Sequence, residues 1–390
     1  MNKIYKLHNQ FKHYEWGSPD LIPQFLDIRN KSTGSILPYA EMWMGTHSGA
    51  PSQIETNPAE KQSLSEIAGE LPFLFKLIAV EKQLSIQVHP TKEQAEKGFE
   101  REEMSGLPVK APTRNYKDIN HKPEIICAIS PFSLMAGFRE CKNIYESFEE
   151  LASNLPQLKE MIRLLLKPLE KGLLTVFFRI LYSFSKLERD YICKLISEKE
   201  DVIGEKISSG QWDMMKKFSR LYPADASVLS PLYLNLLTLS PGQAIYVPAG
   251  VLHSYTSGFG VELMAASDNV LRGGLTPKYI DIPQFISILD FNPYLPAVLT
   301  PGDSPWFSYQ TPCKEFSLTL MRSSGEENVF LGKESICLVT EGELNVSCSK
   351  TDSFTFKKGE SFFIPAEKIE QPLSFSGNYS LFAAAAGSVS

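Results

Sequence analysis

Four short stretches carry side chains whose types and spacing could do chemistry. In "SIQVHPTKEQ" (85–94), strand-like alternation puts Gln87 and His89 on one face and Ile86 and Val88 on the other. In "NYKDINHKPEIICAIS" (115–130), Lys122 and Glu124 are also two apart, just before an apolar strand. Pro123 between them suits the start of a strand. In "GQAIYVPAGVLHSY" (242–255), His253 follows a strand and a tight Pro-Ala-Gly turn. Singly, these read as a polar strand end, a charged strand entrance and a satisfied core histidine. Together they offer two imidazoles, a carboxylate and an amide oxygen: Gln87, His89, Glu124 and His253. Zinc accepts such a set, and a catalytic zinc site keeps one position open. Iron, manganese and nickel use the same ligand types, so the set predicts a metal more firmly than it names one.

The fourth stretch is "GVELMAASDNVLRGGLTPKYID" (260–281). Glu262 interrupts an apolar strand, where an unpaired carboxylate would be costly, so either an ion pair or a site role is expected. Arg272 stands beside Gly273-Gly274, which allows close approach of backbone and guanidinium to a ligand. Its fixed charge and rigid fork of donors suit anions and developing oxyanions. Lys278 reads as a solvated lysine or an anion contact.

The elements that must hold these residues are legible in outline. "LFKLIAV", "LSIQVH" and "EIICAIS" read as strands, residues 92–106 as a short charged helix and 107–123 as a loop. From 141 to 222 apolar residues recur at helical spacing among Lys and Glu, predicting several amphipathic helices. Strands resume at "LYLNLLTLSPGQAIYVPAG". A short helix ("IPQFISILD"), a Pro-rich connector and three alternating stretches from 335 onward follow.

The chain has 390 residues, which predicts two or three domains. Its 43% hydrophobic and 22% charged content is that of a folded globular protein. A net charge of -6 argues against a nucleic-acid surface. The N-terminal segment lacks a signal-peptide core. The most apolar run, "GLLTVFFRILYSFSK", is too short to span a bilayer and carries Arg179 in its middle. Six scattered cysteines without a CxxC pair predict free thiols in a reducing, cytoplasmic compartment. Any metal ligands must then be His, carboxylate or amide, and there are six histidines to draw on.

Gly-x5-Pro-x-Gly-x2-His at 242–253 resembles the second half of the cupin pattern, in which a strand, a tight turn and a second strand aim a histidine into a barrel. The spacing recurs at Gly359-x5-Pro365-Ala366, where Glu367 and Glu370 replace Gly250 and His253. This self-similarity predicts two related barrels, the second without its metal ligand.

Six segments in order resemble the type I phosphomannose isomerase family: "YEWGS" (14–18), "AEMWMGTHSGAPS" (40–52), "LPFLFKLIAVEKQLSIQVHP" (71–90), "NYKDINHKPEIICAISPF" (115–132), "VPAGVLHSY" (247–255) and "ELMAASDNVLRGGLTPKYIDI" (262–282). The resemblance implies one zinc ion per chain at Gln87, His89, Glu124 and His253, the set the spacing also reaches. It implies a catalytic Arg272 and a pocket lined by Trp16, Glu41, His47, Lys122, Glu262 and Asp268. Lys76, Ser85 and Lys278 become candidates for the phosphate end. The implied fold is mostly β with a helical domain: a cupin-like (jelly-roll) double β-barrel with an α-helical insertion. Residues 1–140 and 223–295 would form the zinc-bearing barrel, 141–222 the helical domain and 296–390 the barrel without metal. The family further implies a monomer acting on a small sugar phosphate, with no nucleic-acid or membrane partner.

The implied reaction interconverts mannose 6-phosphate and fructose 6-phosphate. It needs a base to carry a proton between C2 and C1, an electrophile for the enediolate oxygens and cations for the phosphate. A metal-bound water, Lys122, Glu262, Asp268 and His47 are all candidates for the base. Competing readings are an iron-dependent dioxygenase on the same scaffold, a non-enzymatic sugar-binding cupin, and glucose 6-phosphate as the main substrate.

Overall fold

A computed structural model describes residues 4–28, 37–57, 60–202, 204–329, 331, 333–348, 352–365 and 372–387. The strands expected around 73–88, 124–130 and 232–250 are present, as Phe73–Val80, Ile86–Val88, Glu124–Ala128, Leu234–Leu239 and Ala244–Val247. Phe73–Val80 is buried along its whole length, which explains why its sequence is continuously apolar rather than alternating, Lys76 excepted. These strands join Gln10–Lys12, Glu41–Met44, Phe132–Phe138, His253–Ala265 and Leu271–Gly274 in one ten-stranded sheet.

His253–Ala265 organises that sheet. From Gly258 to Ala265 it lies antiparallel to Phe73–Val80 on one side, and over Gly260–Met264 to Glu124–Ala128 on the other. Before Gly258 it changes partners: His253 is paired with Gln87 and with Ala136. The register slips between Tyr255 and Ser257, and Gly258 takes a φ of +126°. A Cβ at Gly258 would lie 2.6 Å from Phe132 Cα. The bend therefore needs glycine both for its backbone angle and for the close approach of the neighbouring strand. Gly258→Ala should cost about 3 kcal/mol, from left-handed strain and overpacking together. A urea midpoint compared with wild type measures this loss; an unchanged midpoint would mean that the bend tolerates a side chain.

A second ten-stranded sheet holds Trp306–Tyr309, Ser317–Ser323, Glu326–Val329, Ser335–Ser347, Ser353–Lys357, Ser361–Ile364 and Leu373–Ala385. Tyr5–His8, Gln53–Asn57 and Glu60–Ser63 complete it, with Tyr5 opposite Phe363 and Leu7 opposite Ile54. Among the described residues, neither sheet's strand order closes on itself. Phe356, Phe362, Phe375, Leu381 and their neighbours fill the interior of the second sheet with apolar side chains.

The sequence repeat has a structural counterpart. Gly242 and Gly359 both have φ +86°. The Gly242 N–H donates to Ala128 O, and the Ala128 N–H donates to Gln243 O. Gly359 does the same with Val339, which in turn donates to Glu360 O. The substituted positions Glu367 and Glu370 lie outside the described residues.

The 141–222 region forms the helices Cys141–Asn154, Lys159–Leu169, Leu174–Ser183, Lys186–Glu198 and Ser209–Leu221. Ser185 with Glu188 and Ser208 with Gln211 close reciprocal caps at the starts of two of them. Their apolar faces bury Ile144, Phe148, Phe177 and Phe178 against Met135, Phe138 and Leu271 of the first sheet. The charged helix is Lys92–Met104, started by a Thr91–Gln94 capping box. Among the described residues no helix is long and apolar enough to cross a membrane, and the six cysteines are free.

Candidate active site

The bend in His253–Ala265 and the short strand Ile86–Val88 aim His253 and Gln87 at the same point, because the two residues are cross-strand partners. Glu124 opens its own strand, opposite Met264, and His89 follows Val88. The ligand atoms of His89, Glu124 and His253 lie within 4.8 Å of one another, and all three residues are buried. His89 Nε2 is 3.3 Å from Glu124 Oε1, and His253 Nε2 is 3.4 Å from Glu124 Oε2. Gln87 Nε2 lies 3.4 Å from His253 Nε2. Turning that amide about its last bond would present its oxygen instead.

Both imidazoles are fixed from behind. His89 Nδ1 donates to Asn269 O at 2.7 Å, and His253 Nδ1 donates to Val251 O at 2.9 Å. Each Nε2 is thereby turned toward a carboxylate oxygen. Burial, with help from Lys122, pushes His89 down to about 4, so its ring is neutral near pH 7. His89 Nε2 is accordingly a buried nitrogen without a hydrogen-bond partner, although it lies within ion-pair distance of Glu124. Two acceptors facing each other repel, and a cation between them removes the repulsion. Burial alone would raise Glu124, but the charged contacts around it, the Lys122 ammonium first among them, outweigh it and hold the carboxyl well below its ordinary range. A carboxylate, two imidazoles and a side-chain amide are a donor set that fits zinc.

Asn269 is the residue this centre depends on that sequence reading missed. It is fully buried, and its carbonyl oxygen holds His89. Its Oδ1 accepts the Lys117 N–H at 2.7 Å, and its Nδ2 donates to Asp118 O and Asn120 O at 2.8 Å each. It thus ties the loop before Lys122 and Glu124 to the histidine. Asn269→Ala should weaken metal affinity about 10–100-fold, the usual effect of losing a residue that orients a ligand. Competition with a chelator reads this directly; unchanged affinity would make Asn269 a loop residue only. Tyr255, whose hydroxyl donates to Glu124 Oε2 at 3.4 Å, was also missed.

The metal set opens on a cavity of about 1370 Å³. Trp16, Glu41, Lys76, Ser85, Gln87, Lys122, Glu124, Glu262, Asp268, Arg272 and Lys278 all line it. His89 and His253 sit behind the wall. Lys76 is buried in the floor, 2.9 Å from Glu262 and 3.7 Å from Glu41. Burial disfavours its charge, but Glu262 and Glu41 outweigh that and the net shift is upward. The Trp43 indole N–H donates to Glu41 Oε2 at 2.6 Å. Burial, partly opposed by Lys76, raises the Glu262 carboxyl above its ordinary range. Lys122 lies 3.0 Å from Glu124 Oε1. His47 is not among the lining residues. It accepts the Gly49 N–H on Nδ1 and lies 3.4 Å from Asp268 through Nε2. That hydrogen bond is the main reason Asp268 is held down at about 2.

Ser85 donates to Gln87 Oε1 at 3.4 Å. Arg272 is the cross-strand neighbour of Gln87 and has no carboxylate partner among the described residues. Burial lowers its pKa. Lys278 is shifted down as well, first by burial and then by Arg272 and Lys117. Arg272, Lys278 and Lys117 all line the cavity, and among the described residues none of them lies within ion-pair distance of a carboxylate. Lys117 was not singled out in the sequence.

A family model for the phosphomannose isomerase type I catalytic domain matches residues 4–141. The mannose-6-phosphate isomerase of Escherichia coli (strain K12) is 33% identical over 96% of this chain and 97% of its own length. The human mannose-6-phosphate isomerase is 32% identical over 85% of each chain. A crystal structure described as mannose 6-phosphate isomerase bound with zinc and yttrium covers 99% of this chain with a TM-score of 0.86 and 33% identity. With a third of its residues shared along nearly the whole length, and with the same backbone, the chain is an enzyme of the type I phosphomannose isomerase (mannose-6-phosphate isomerase) family.

Proposed function

We propose that the protein interconverts mannose 6-phosphate and fructose 6-phosphate, with one zinc ion held by Gln87, His89, Glu124 and His253. The observation that carries this reading is the pair of imidazoles, each locked through Nδ1 onto a backbone carbonyl, with both Nε2 atoms turned on one buried carboxylate. When bound there, the ion supplies Lewis-acid polarisation of a substrate oxygen at C1 or C2.

The chain's own residues supply the rest. Glu262 takes the proton from C2 of the open-chain aldose, and the C2–H electron pair becomes the C1–C2 double bond as O1 is protonated. Returning that proton to C1, while the O2 hydroxyl loses its own, yields the ketose; no electron acceptor is needed. The raised pKa of Glu262 supports this role, because a base poised nearer neutrality returns its proton readily. Lys76 and Glu41 hold Glu262 in place, so the Lys76 charge serves the floor rather than the phosphate. Arg272 steadies the oxyanion as it forms. Lys278, Lys117 and Ser85 take the phosphate end, and Trp16, Lys122 and Asp268 shape the wall, with His47 behind Asp268.

The same reading extends to the architecture. Residues 1–140 and 223–295 form a zinc-bearing cupin-like barrel, 141–222 a helical domain and 296–390 a second barrel without metal, to whose sheet Tyr5–His8, Gln53–Asn57 and Glu60–Ser63 add strands. The matched turns at Gly242 and Gly359 support two copies of one unit. The enzyme works as a cytoplasmic monomer; its free cysteines are consistent with a reducing compartment. A coupled assay for fructose 6-phosphate formation tests the function. Turnover should disappear on chelation and return with zinc. Binding of mannose 6-phosphate without turnover, or oxygen consumption, would overturn the reading.

A further inference from the structure

We infer that Asp225, at the end of the helical segment, is a positioning residue for Arg272. The inference rests on the catalytic reading of Arg272 given above. The backbone around that arginine is unusual. Pairing with the strand Ile86–Val88 slips between Arg272 and Gly274. Three residues after Arg272, Leu275 takes a φ of +54°, a left-handed angle rare for a side chain of that size. Something must hold this conformation.

The holder comes from the turn Ala226–Leu229, for which Asp225 is the N-terminal cap. Asp225 Oδ1 accepts the Ser227 N–H at 2.8 Å, and its Oδ2 accepts the Leu275 N–H at 2.7 Å. Ser227 donates its hydroxyl to Gly273 O at 3.1 Å and shares a hydrogen bond of 2.8 Å with Tyr182. Because the Ser227 proton is committed to Gly273, the Tyr182 hydroxyl is the donor to Ser227. The approach is so close that a Cβ at Gly274 would lie 2.0 Å from Ser227 Oγ and 2.5 Å from Asp225 Oδ1. A Cβ at Gly273 would lie 2.1 Å from the Phe285 ring. The glycine pair beside Arg272 therefore lets a carboxylate and a hydroxyl from the turn after the helices grip the backbone at Gly273 and Leu275.

Asp225 works through that backbone and not through its charge. Arg272 is shifted by burial alone, with no contribution from Asp225. On one side Arg272 is fixed by its pairing with Gln87, a proposed metal ligand, and on the other by the Asp225–Ser227 grip. The short turn that follows the helices is by this account a working part of the active site, setting where the guanidinium sits relative to the ligand strand.

A double-mutant cycle tests the inference. Arg272→Ala, Asp225→Ala and the double variant are compared in the coupled assay, with zinc content and melting temperature measured on each. Asp225→Ala should lower kcat about 10–100-fold, as a misplaced catalytic group does, with zinc retained and KM changed little. In the Arg272→Ala background the same substitution should cost almost nothing further. Equal losses in both backgrounds would make Asp225 a structural residue and overturn the inference, as would a silent Asp225→Ala. An Arg272→Ala variant that keeps a kcat near wild type would overturn the catalytic reading of Arg272 and this inference with it. Should Asp225→Ala not fold, the near-isosteric Asp225→Asn replaces it in the same cycle, with a smaller loss expected because one acceptor oxygen remains.

Discussion

Replacing His89 by alanine should strip the metal from the protein and lower kcat by about three orders of magnitude or more. His89 is one of two imidazoles whose Nε2 atoms face Glu124. Without it, His253, Glu124 and a half-buried Gln87 remain, with Lys122 3.0 Å from the same carboxylate and free to neutralise it alone. The Asn269 carbonyl also loses its donor, at about 1–3 kcal/mol for an unsatisfied buried group. Metal per chain by mass spectrometry and kcat from the coupled assay should fall together. A variant free of metal and fully active would remove the ion from the mechanism.

Arg272→Ala should lower kcat on the order of 10²–10³-fold, the range seen when a donor to a developing oxyanion is removed. KM should move much less, since Lys278 and Lys117 remain to hold a phosphate in the same cavity. Arg272→Lys should not restore the rate. A lysine offers a point charge on a flexible stem in place of a planar fork. A kcat near wild type in Arg272→Ala would withdraw the catalytic role, and a rise in KM alone would move Arg272 to the phosphate end.

The metal set was legible in the sequence because each member lies in a local pattern: a polar pair on a strand, a charged strand entrance, a histidine after a tight turn. What holds those members was not. His89 and His253 are oriented by the backbone carbonyls of Asn269 and Val251, and a carbonyl oxygen has no residue signature. The charge state of Lys76 depends on Glu41 and Glu262, 35 and 186 residues away, so its reading as a phosphate contact had no means of seeing its partners. The helices from 141 to 221 followed from apolar spacing, because a packed face repeats with the helical period. The bend at Gly258 depends on how near Phe132 lies, which spacing does not report.

The antiparallel pairing of Tyr5–His8 with Ser361–Ile364 bears on how the protein comes to be folded. At about 5–20 residues per second, a ribosome takes roughly 20–70 s to reach the partner of the first strand. During that interval the edge that Ser361–Ile364 later covers is open to wrong partners. Pairing at so great a separation is slow to find and closes late. Trp16, on the cavity wall, lies only eight residues beyond the end of that first strand. A chain stopped short of Ser361 would carry every proposed metal ligand and still leave its first strand without one neighbour.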